Sequence, residues 1–289
     1  MNWEHSYLYM LQDILETGEK RLDRTGVGTL SKFGYMYSVN LKEGFPAVTT
    51  KKLQWKAVVS ELLWFLEGST DERRLAEIHY DKPREELICK KTIWTDNADH
   101  QGKDLGYINN NLVKELGPVY SQQWRNFNGI DQIVNLVDGL KHNPYSRRHL
   151  VSAWNVSDLN KMALPPCHYS FQMYMGNNGL SCMFQQRSMD AFLGNPFNIA
   201  SYSLLTHMVA SYLDVEVDKT VCNVGDAHIY LNHIDQVEEQ LSREPKTSPS
   251  LIIPKIESFD IDYIKTLKVD DFKLIDYDHH PVISAPMAI

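Results

Sequence analysis

The chain reads as one domain in which helices alternate with strands, and three observations carry that reading. Residues 169–175 and 180–186 alternate in polarity on either side of Asn177-Asn178-Gly179, the pattern of a β-hairpin. Residues 199–213 form a long apolar stretch of helical length. No internal repeat, low-complexity segment or linker interrupts the 289 residues, which suffice for one domain with a sizeable core.

In chain order, residues 7–18 carry apolar positions at helical spacing and stop at Gly18. Asp23-Arg24-Thr25-Gly26-Val27-Gly28-Thr29 sets two glycines around one arginine. Such a loop can cradle a phosphate, but it matches neither GxxxxGK[ST] nor GxGxxG, and an ordinary turn has the same composition. Residues 33–41 read as a strand, broken by Gly44-Phe45-Pro46. The next helix shows Val58, Val59, Leu62, Leu63, Phe65 and Leu66 on its apolar face, with Thr49 or Thr50 as N-cap. Glu61 falls inside that stripe, where a carboxylate is costly unless paired or functional; the alternative is the helix's polar edge.

Residues 70–91 are charge-rich and read as peripheral. Trp94-Thr95-Asp96-Asn97 and a polar loop follow, then Gly117-Pro118-Val119-Tyr120 and an aromatic-rich segment. Residues 130–140 form an amphipathic helix closed by Asn143-Pro144. Arg147 and Arg148 precede a strand at 150–154; the pair is either solvated or an anion clamp. Asn198 stands where the helix 199–213 needs an N-cap, and its amide is equally suited to reading a base edge. The strand ending at Tyr230 places His228 and Tyr230 on one face. A helix from about Leu231 to Arg243 and short strands at 251–254 and 272–277 complete the chain.

The balance of 29 basic and 37 acidic residues, net −8, argues against a general nucleic-acid binder and against an anionic-membrane binder. No apolar run reaches membrane-span length and no secretion signal opens the chain. The cysteines Cys89, Cys167, Cys182 and Cys222 fit neither a zinc site nor a disulfide framework, so a reducing cytoplasm is expected.

Chemistry concentrates at Leu164-Pro165-Pro166-Cys167-His168. Two prolines fix two φ angles and remove two donors, so the chain reaches Cys167 stiff and extended. A thiol held at the mouth of a strand beside a histidine is a candidate nucleophile; a buried structural cysteine is the alternative. Gln186-Arg187-Ser188 with Asp190 is the next dense cluster.

These motifs, with Pro196-Phe197-Asn198-Ile199-Ala200-Ser201-Tyr202 and Gly225-Asp226-Ala227-His228-Ile229-Tyr230, resemble the thymidylate synthase family. So do Asp23-Arg24-Thr25-Gly26, Glu61-Leu62-Leu63-Trp64-Phe65, Gly117-Pro118-Val119-Tyr120 and Arg147-Arg148, in order over nearly the whole chain. Without the family's larger insertions, the sequence is similar to its compact bacterial or phage members. The resemblance implies an α+β fold, a mixed β-sheet packed with helices, and a homodimer joined sheet to sheet. Arg147 and Arg148 would then reach into the partner's site.

It also implies one-carbon transfer from methylenetetrahydrofolate to C5 of dUMP, with no metal. Cys167 would add to C6, its thiol activated by a nearby cation, Arg187. Arg24, Arg187, Ser188, Arg147 and Arg148 would hold the phosphate. Asn198 would read the uracil edge, His228 and Tyr230 the sugar hydroxyl, and His168 and Gln186 would complete the nucleotide site. Glu61 would relay protons and Tyr120 would help remove the C5 proton. Asp190 and Trp94 would bind the pterin with Leu193, Gly194 and Phe197, Lys51 would meet the folate's glutamate tail, and Ile289 would close over the site.

Three positions depart from the family: Thr95 replaces aspartate, Ser121 glycine and Asn195 an apolar residue. An added hydroxyl can place a water beside the exocyclic methylene intermediate. Hydride transfer, giving dTMP, is the expected outcome; water would instead give 5-hydroxymethyl-dUMP, as in some phage deoxyuridylate hydroxymethyltransferase relatives. A non-catalytic nucleotide-binding homodimer is the reading from another class; the set Glu61, Tyr120, Cys167, Arg187 and Asn198 argues against it.

Overall fold

The structure, a computed structural model, describes residues 2–22 and 26–287. It opens with α1 (Trp3–Thr17), then strands β1 (Glu19–Arg21) and β2 (Thr29–Asn40). Helices α2 (Trp55–Glu67) and α3 (Glu72–Tyr80) follow, with the single turn α4 (Thr95–Asn97), α5 (Tyr120–Arg125) and α6 (Gln132–His142). Strands β3 (Leu150–Ser152), β4 (His168–Gly176) and β5 (Gly179–Asp190) lead to the long α7 (Gly194–Leu213) and β6 (Val217–Tyr230). The chain ends with α8 (Ile234–Leu241), β7 (Ser250–Ile252), α9 (Ile261–Ile264) and β8 (Lys273–Ile275).

Six strands form one sheet in the order β1-β2-β6-β5-β4-β3. β5 and β6 run parallel and the other neighbours antiparallel, so the sheet is mixed and the fold is α+β, as expected. β7 and β8 pair separately. The expected hairpin is β4–β5, with Gly176 opposite Gly179. Its positive φ falls on Gly179 (φ +125), where a Cβ would meet the carbonyl of Glu216, so only glycine fits.

One face of the sheet is covered by α7. Tyr202 stacks on Phe184 with ring centroids 4.3 Å apart, and Phe171 tilts against it at 5.5 Å. α2 lies deep in the core and is buried from Val58 to Glu67, so its stripe of Val, Leu and Phe has no solvated side at this end. It stops at Gly68, whose left-handed backbone (φ 74) returns its N–H to the Phe65 carbonyl.

Three expectations are corrected. Thr49 and Thr50 do not cap α2, which starts at Trp55 behind Gln54. Both threonine hydroxyls and both backbone N–H groups donate instead to the buried carboxylate of Glu4, at 2.6–3.0 Å. Asn198 does not cap α7, which starts four residues earlier at Gly194. Pro196 is tolerated there because the N–H groups of a first helical turn have no helical partner. The turn ahead of α7 is ordered by Asp190 Oδ1, which accepts from the N–H groups of Phe192 and Leu193 at 2.9 Å each. Finally, residues 70–91 are not wholly peripheral. They contain α3, where Glu72 and Arg73 are fully buried as an ion pair at 2.6 Å.

Candidate active site

Strand register assembles the site. His168 pairs with Gln186 across β4–β5, while Ser188 pairs with Asp226 and Asp190 with His228 across β5–β6. The Arg187 N–H donates to the Cys167 carbonyl at 2.8 Å. Residues distant in sequence therefore stand side by side on three adjacent strands.

Cys167 is half-buried and is not in a disulfide. The carbonyls of Pro165 and Pro166 ahead of it accept from Arg187, Nη2 at 2.8 Å and Nε at 2.9 Å. The Cys167 N–H donates to the Tyr120 hydroxyl at 2.7 Å. Held at these points, the guanidinium brings Nη2 to 3.7 Å from the Cys167 sulfur. Positive charge beside a sulfur is the arrangement that activates a thiol.

A neutral wall faces this cation. Glu61 is 5% exposed, and burial raises its pKa to about 7 although Trp94 Nε1 donates to its Oε1 at 2.7 Å. Burial also drives His168 down to about 3, leaving a neutral imidazole whose Nδ1 shares a 2.8 Å hydrogen bond with the Tyr202 hydroxyl. The His168 ring stacks on Tyr120 at 4.1 Å. Tyr120 is pushed well above its ordinary range, first by burial and then by the charge of Cys167. No sequence signal pointed to Tyr202 as the partner of His168.

Asn198 projects toward the strands from the second turn of α7. Its Nδ2 donates to Gln186 Oε1 at 2.7 Å, which fixes the amide and leaves Oδ1 and one N–H for another partner. His228 lies 3.2 Å from Asp226, and the rings of His228 and Tyr230 meet edge-on at 5.1 Å. Asp226 also accepts from Ser31 at 2.7 Å, and the bond to His228 holds its carboxyl below the usual range.

Glu61 opens into a cavity of about 290 Å³ walled by Leu75, Ile93 and Met287, with His79 and Lys91 among its polar groups. Lys51 is buried beside the turn ahead of α7. Its Nζ is turned inward onto the Phe192 carbonyl at 2.5 Å and above the Phe192 ring at 3.4 Å, and burial pulls its pKa down to about 7. Leu193 and Gly194 sit at the start of α7, and Phe197 packs against the core. Arg147 and Arg148 are exposed in the loop before β3, with no ion-pair partner among the described residues. Arg24 and Ile289 lie outside the described residues.

Comparison with known proteins gives matches over almost the whole chain. The sequence model of the family described as thymidylate synthase matches residues 5–289. The chain is 49% identical over 284 residues to a probable thymidylate synthase of Escherichia phage T5, covering 98% of this chain and 99% of the relative. It is 46% identical to the thymidylate synthase of Mycoplasma mobile, with the same coverage. The crystal structure of thymidylate synthase from T4 phage matches with a TM-score of 0.90 at 45% identity, over 98% of this chain and 99% of that one.

The chain belongs to the thymidylate synthase family. Within it, the three departures have structural employment. The Thr95 hydroxyl donates to Glu72 at 2.6 Å and accepts the Thr92 N–H at 2.8 Å. The Ser121 hydroxyl donates to the Ser69 carbonyl at 2.6 Å. Both side chains are buried, and each hydroxyl gives its proton to a protein acceptor. Asn195 Oδ1 accepts from the Tyr37 hydroxyl at 3.0 Å; its Nδ2 has no partner among the described residues.

Glu61 makes stability depend on pH. Its pKa rises from 4.5 to about 7 on folding, so across that window the folded state holds the proton more tightly than the unfolded chain. Stability therefore falls as pH rises through the window and levels off above it. Glu61→Gln keeps an acceptor for Trp94 and removes the slope. The variant should exceed the wild type at pH 8 by up to about 3 kcal/mol, with the difference shrinking toward pH 5. Urea unfolding at the two pH values measures this; an equal difference at both would show that Glu61 does not titrate in this way.

Proposed function

We propose that this chain is a thymidylate synthase, carrying one carbon from methylenetetrahydrofolate to C5 of dUMP and delivering it as the methyl group of dTMP. The observation that carries the reading is the Cys167 sulfur 3.7 Å from a guanidinium that is itself fixed by the Pro165 and Pro166 carbonyls.

C5 of uracil is a weak nucleophile. Addition of the Cys167 thiolate to C6 moves electron density onto C5 and O4, and C5 then attacks the one-carbon unit. The folate supplies that carbon and, later, a hydride. Asn198 holds the uracil edge through its free carbonyl and N–H; uracil offers a donor at N3 and an acceptor at O4. Glu61, poised near neutrality by burial, exchanges a proton at O4. Tyr120 lies against the Cys167 N–H and assists removal of the C5 proton. Arg187 and Ser188, with Arg24, hold the phosphate, and His228 and Tyr230 hold the sugar hydroxyl. Asp190, its Oδ1 engaged by the turn before α7, offers Oδ2 to the pterin beside Trp94.

The working unit we infer is a homodimer joined through the sheet face opposite α7, where Met36, Leu150 and Tyr174 are exposed. In this arrangement the exposed Arg147 and Arg148 complete the partner's phosphate site, and a reducing cytoplasm keeps the four cysteines as thiols.

Two experiments test these statements. Turnover of dUMP with methylenetetrahydrofolate should raise the near-ultraviolet absorbance as dihydrofolate forms, with dTMP identified by mass. A product one oxygen heavier, with no absorbance rise, would mean that water replaces the hydride. For the dimer, Cys167→Ala and Arg147→Ala chains, each inactive alone, should regain activity on mixing, because one site of the mixed dimer is intact. No recovery despite demonstrated subunit exchange would remove the shared-site arrangement.

A further inference from the structure

We propose that the buried Glu72–Arg73 pair is a positioning device for the reaction: through Thr92 and Thr95 it holds Trp94 so that the indole N–H stays on the Glu61 carboxyl. The assignment rests on Glu61 acting in the turnover proposed above.

The wiring is continuous. Arg73 grips Glu72 in a fork, Nε to Oε2 and Nη2 to Oε1, both at 2.6 Å. Its remaining N–H groups donate to the carbonyls of Leu87 at 3.0 Å and Lys90 at 3.1 Å, which draws the segment after α3 inward. Glu72 Oε1 accepts the hydroxyls of Thr92 at 2.7 Å and Thr95 at 2.6 Å. Each hydroxyl then accepts from the backbone around the indole: Thr95 Oγ1 from the Thr92 N–H at 2.8 Å, Thr92 Oγ1 from the Trp94 N–H at 3.2 Å. Trp94 closes the line with Nε1 on Glu61 at 2.7 Å.

Ahead of Trp94 the chain is irregular, with a 3₁₀ turn at Arg84–Glu86 after α3. The indole residue itself heads a short helical run, α4 continuing as a π-turn over Ala98–Gly102, and its carbonyl accepts the Ala98 N–H at 3.1 Å; that run fixes the backbone after Trp94 and leaves the approach to it to the Glu72 contacts. A buried ion pair adds little net stability over an apolar pair of the same shape. Its connections to this irregular segment have a use in setting geometry: an indole moved by one ångström loses its bond to the carboxyl. Thr95, one of the departures from the family, is a link in this line.

A double-mutant cycle tests the proposal. Thr95→Val keeps the shape and drops the hydroxyl, Thr95→Ser keeps the hydroxyl, and Trp94→Phe removes the indole donor. Two quantities are read: dUMP turnover, and hydrogen exchange of the Trp94 indole N–H in ¹⁵N-labelled protein, its resonance identified by its loss in Trp94→Phe. Thr95→Val should lower kcat about tenfold with the KM for dUMP unchanged, and speed indole exchange by about the same factor. Thr95→Ser should recover both, and Thr95→Ala should repeat the Val result. In the Trp94→Phe background, Thr95→Val should change kcat by less than about twofold. The proposal is overturned if Thr95→Val leaves indole exchange at the wild-type rate, or if it lowers kcat by the same factor with and without the indole. Failure of the wild type to turn over dUMP would instead remove the functional reading, while indole exchange would still decide on the network.

Discussion

Two prolines ahead of Cys167 leave two carbonyls without partners in their own segment, and Arg187 takes both. The rest of the site depends on that exchange. The stiff segment alone would aim the thiol but leave polar groups unsatisfied at a partly buried position, where each costs on the order of 1–3 kcal/mol. The guanidinium satisfies them, ties the segment to β5 and sets its charge beside the sulfur.

Opposite this fixed cation the protein builds the reverse environment. Glu61, Tyr120 and His168 are buried, and burial moves each toward its neutral form. One wall thus stabilises negative charge on sulfur, and the other keeps its groups uncharged until a proton moves. Only Glu61 is brought near neutral pH, to about 7, so it is the group on that wall able to exchange a proton under physiological conditions. His168, held near 3, serves as a neutral hydrogen-bonding and stacking partner. The aromatic packing that produces this environment is the same packing that seats α7 on the sheet.

Much of this was legible in the sequence because local chemistry dictates it. Pro165-Pro166-Cys167 announces a stiffly held thiol, Asn177-Asn178-Gly179 a hairpin, and Glu61 in an apolar stripe a perturbed carboxyl. What escaped depends on contacts remote in sequence. Thr49 and Thr50 have the composition of a cap, but the Glu4 carboxylate, 45 and 46 residues away, takes their hydroxyls. Asn198 has the composition of a cap as well, but α7 begins earlier and Gln186 takes its amide. The charges of residues 70–91 look solvated until Glu72 and Arg73 are seen to neutralise each other in the core. In each case a short polar pattern has two uses, and the partner that chooses between them is brought in by the fold.

The claim on which the account rests is that the Cys167 sulfur bonds to the nucleotide during turnover. The most direct measurement is to quench the working enzyme in denaturant, digest it and weigh the peptides. The account predicts the mass of the nucleotide on the peptide that carries Cys167, and on no peptide of the Cys167→Ala variant. Nucleotide mass on the peptide of Cys89, Cys182 or Cys222, or continued turnover by Cys167→Ala, would contradict it.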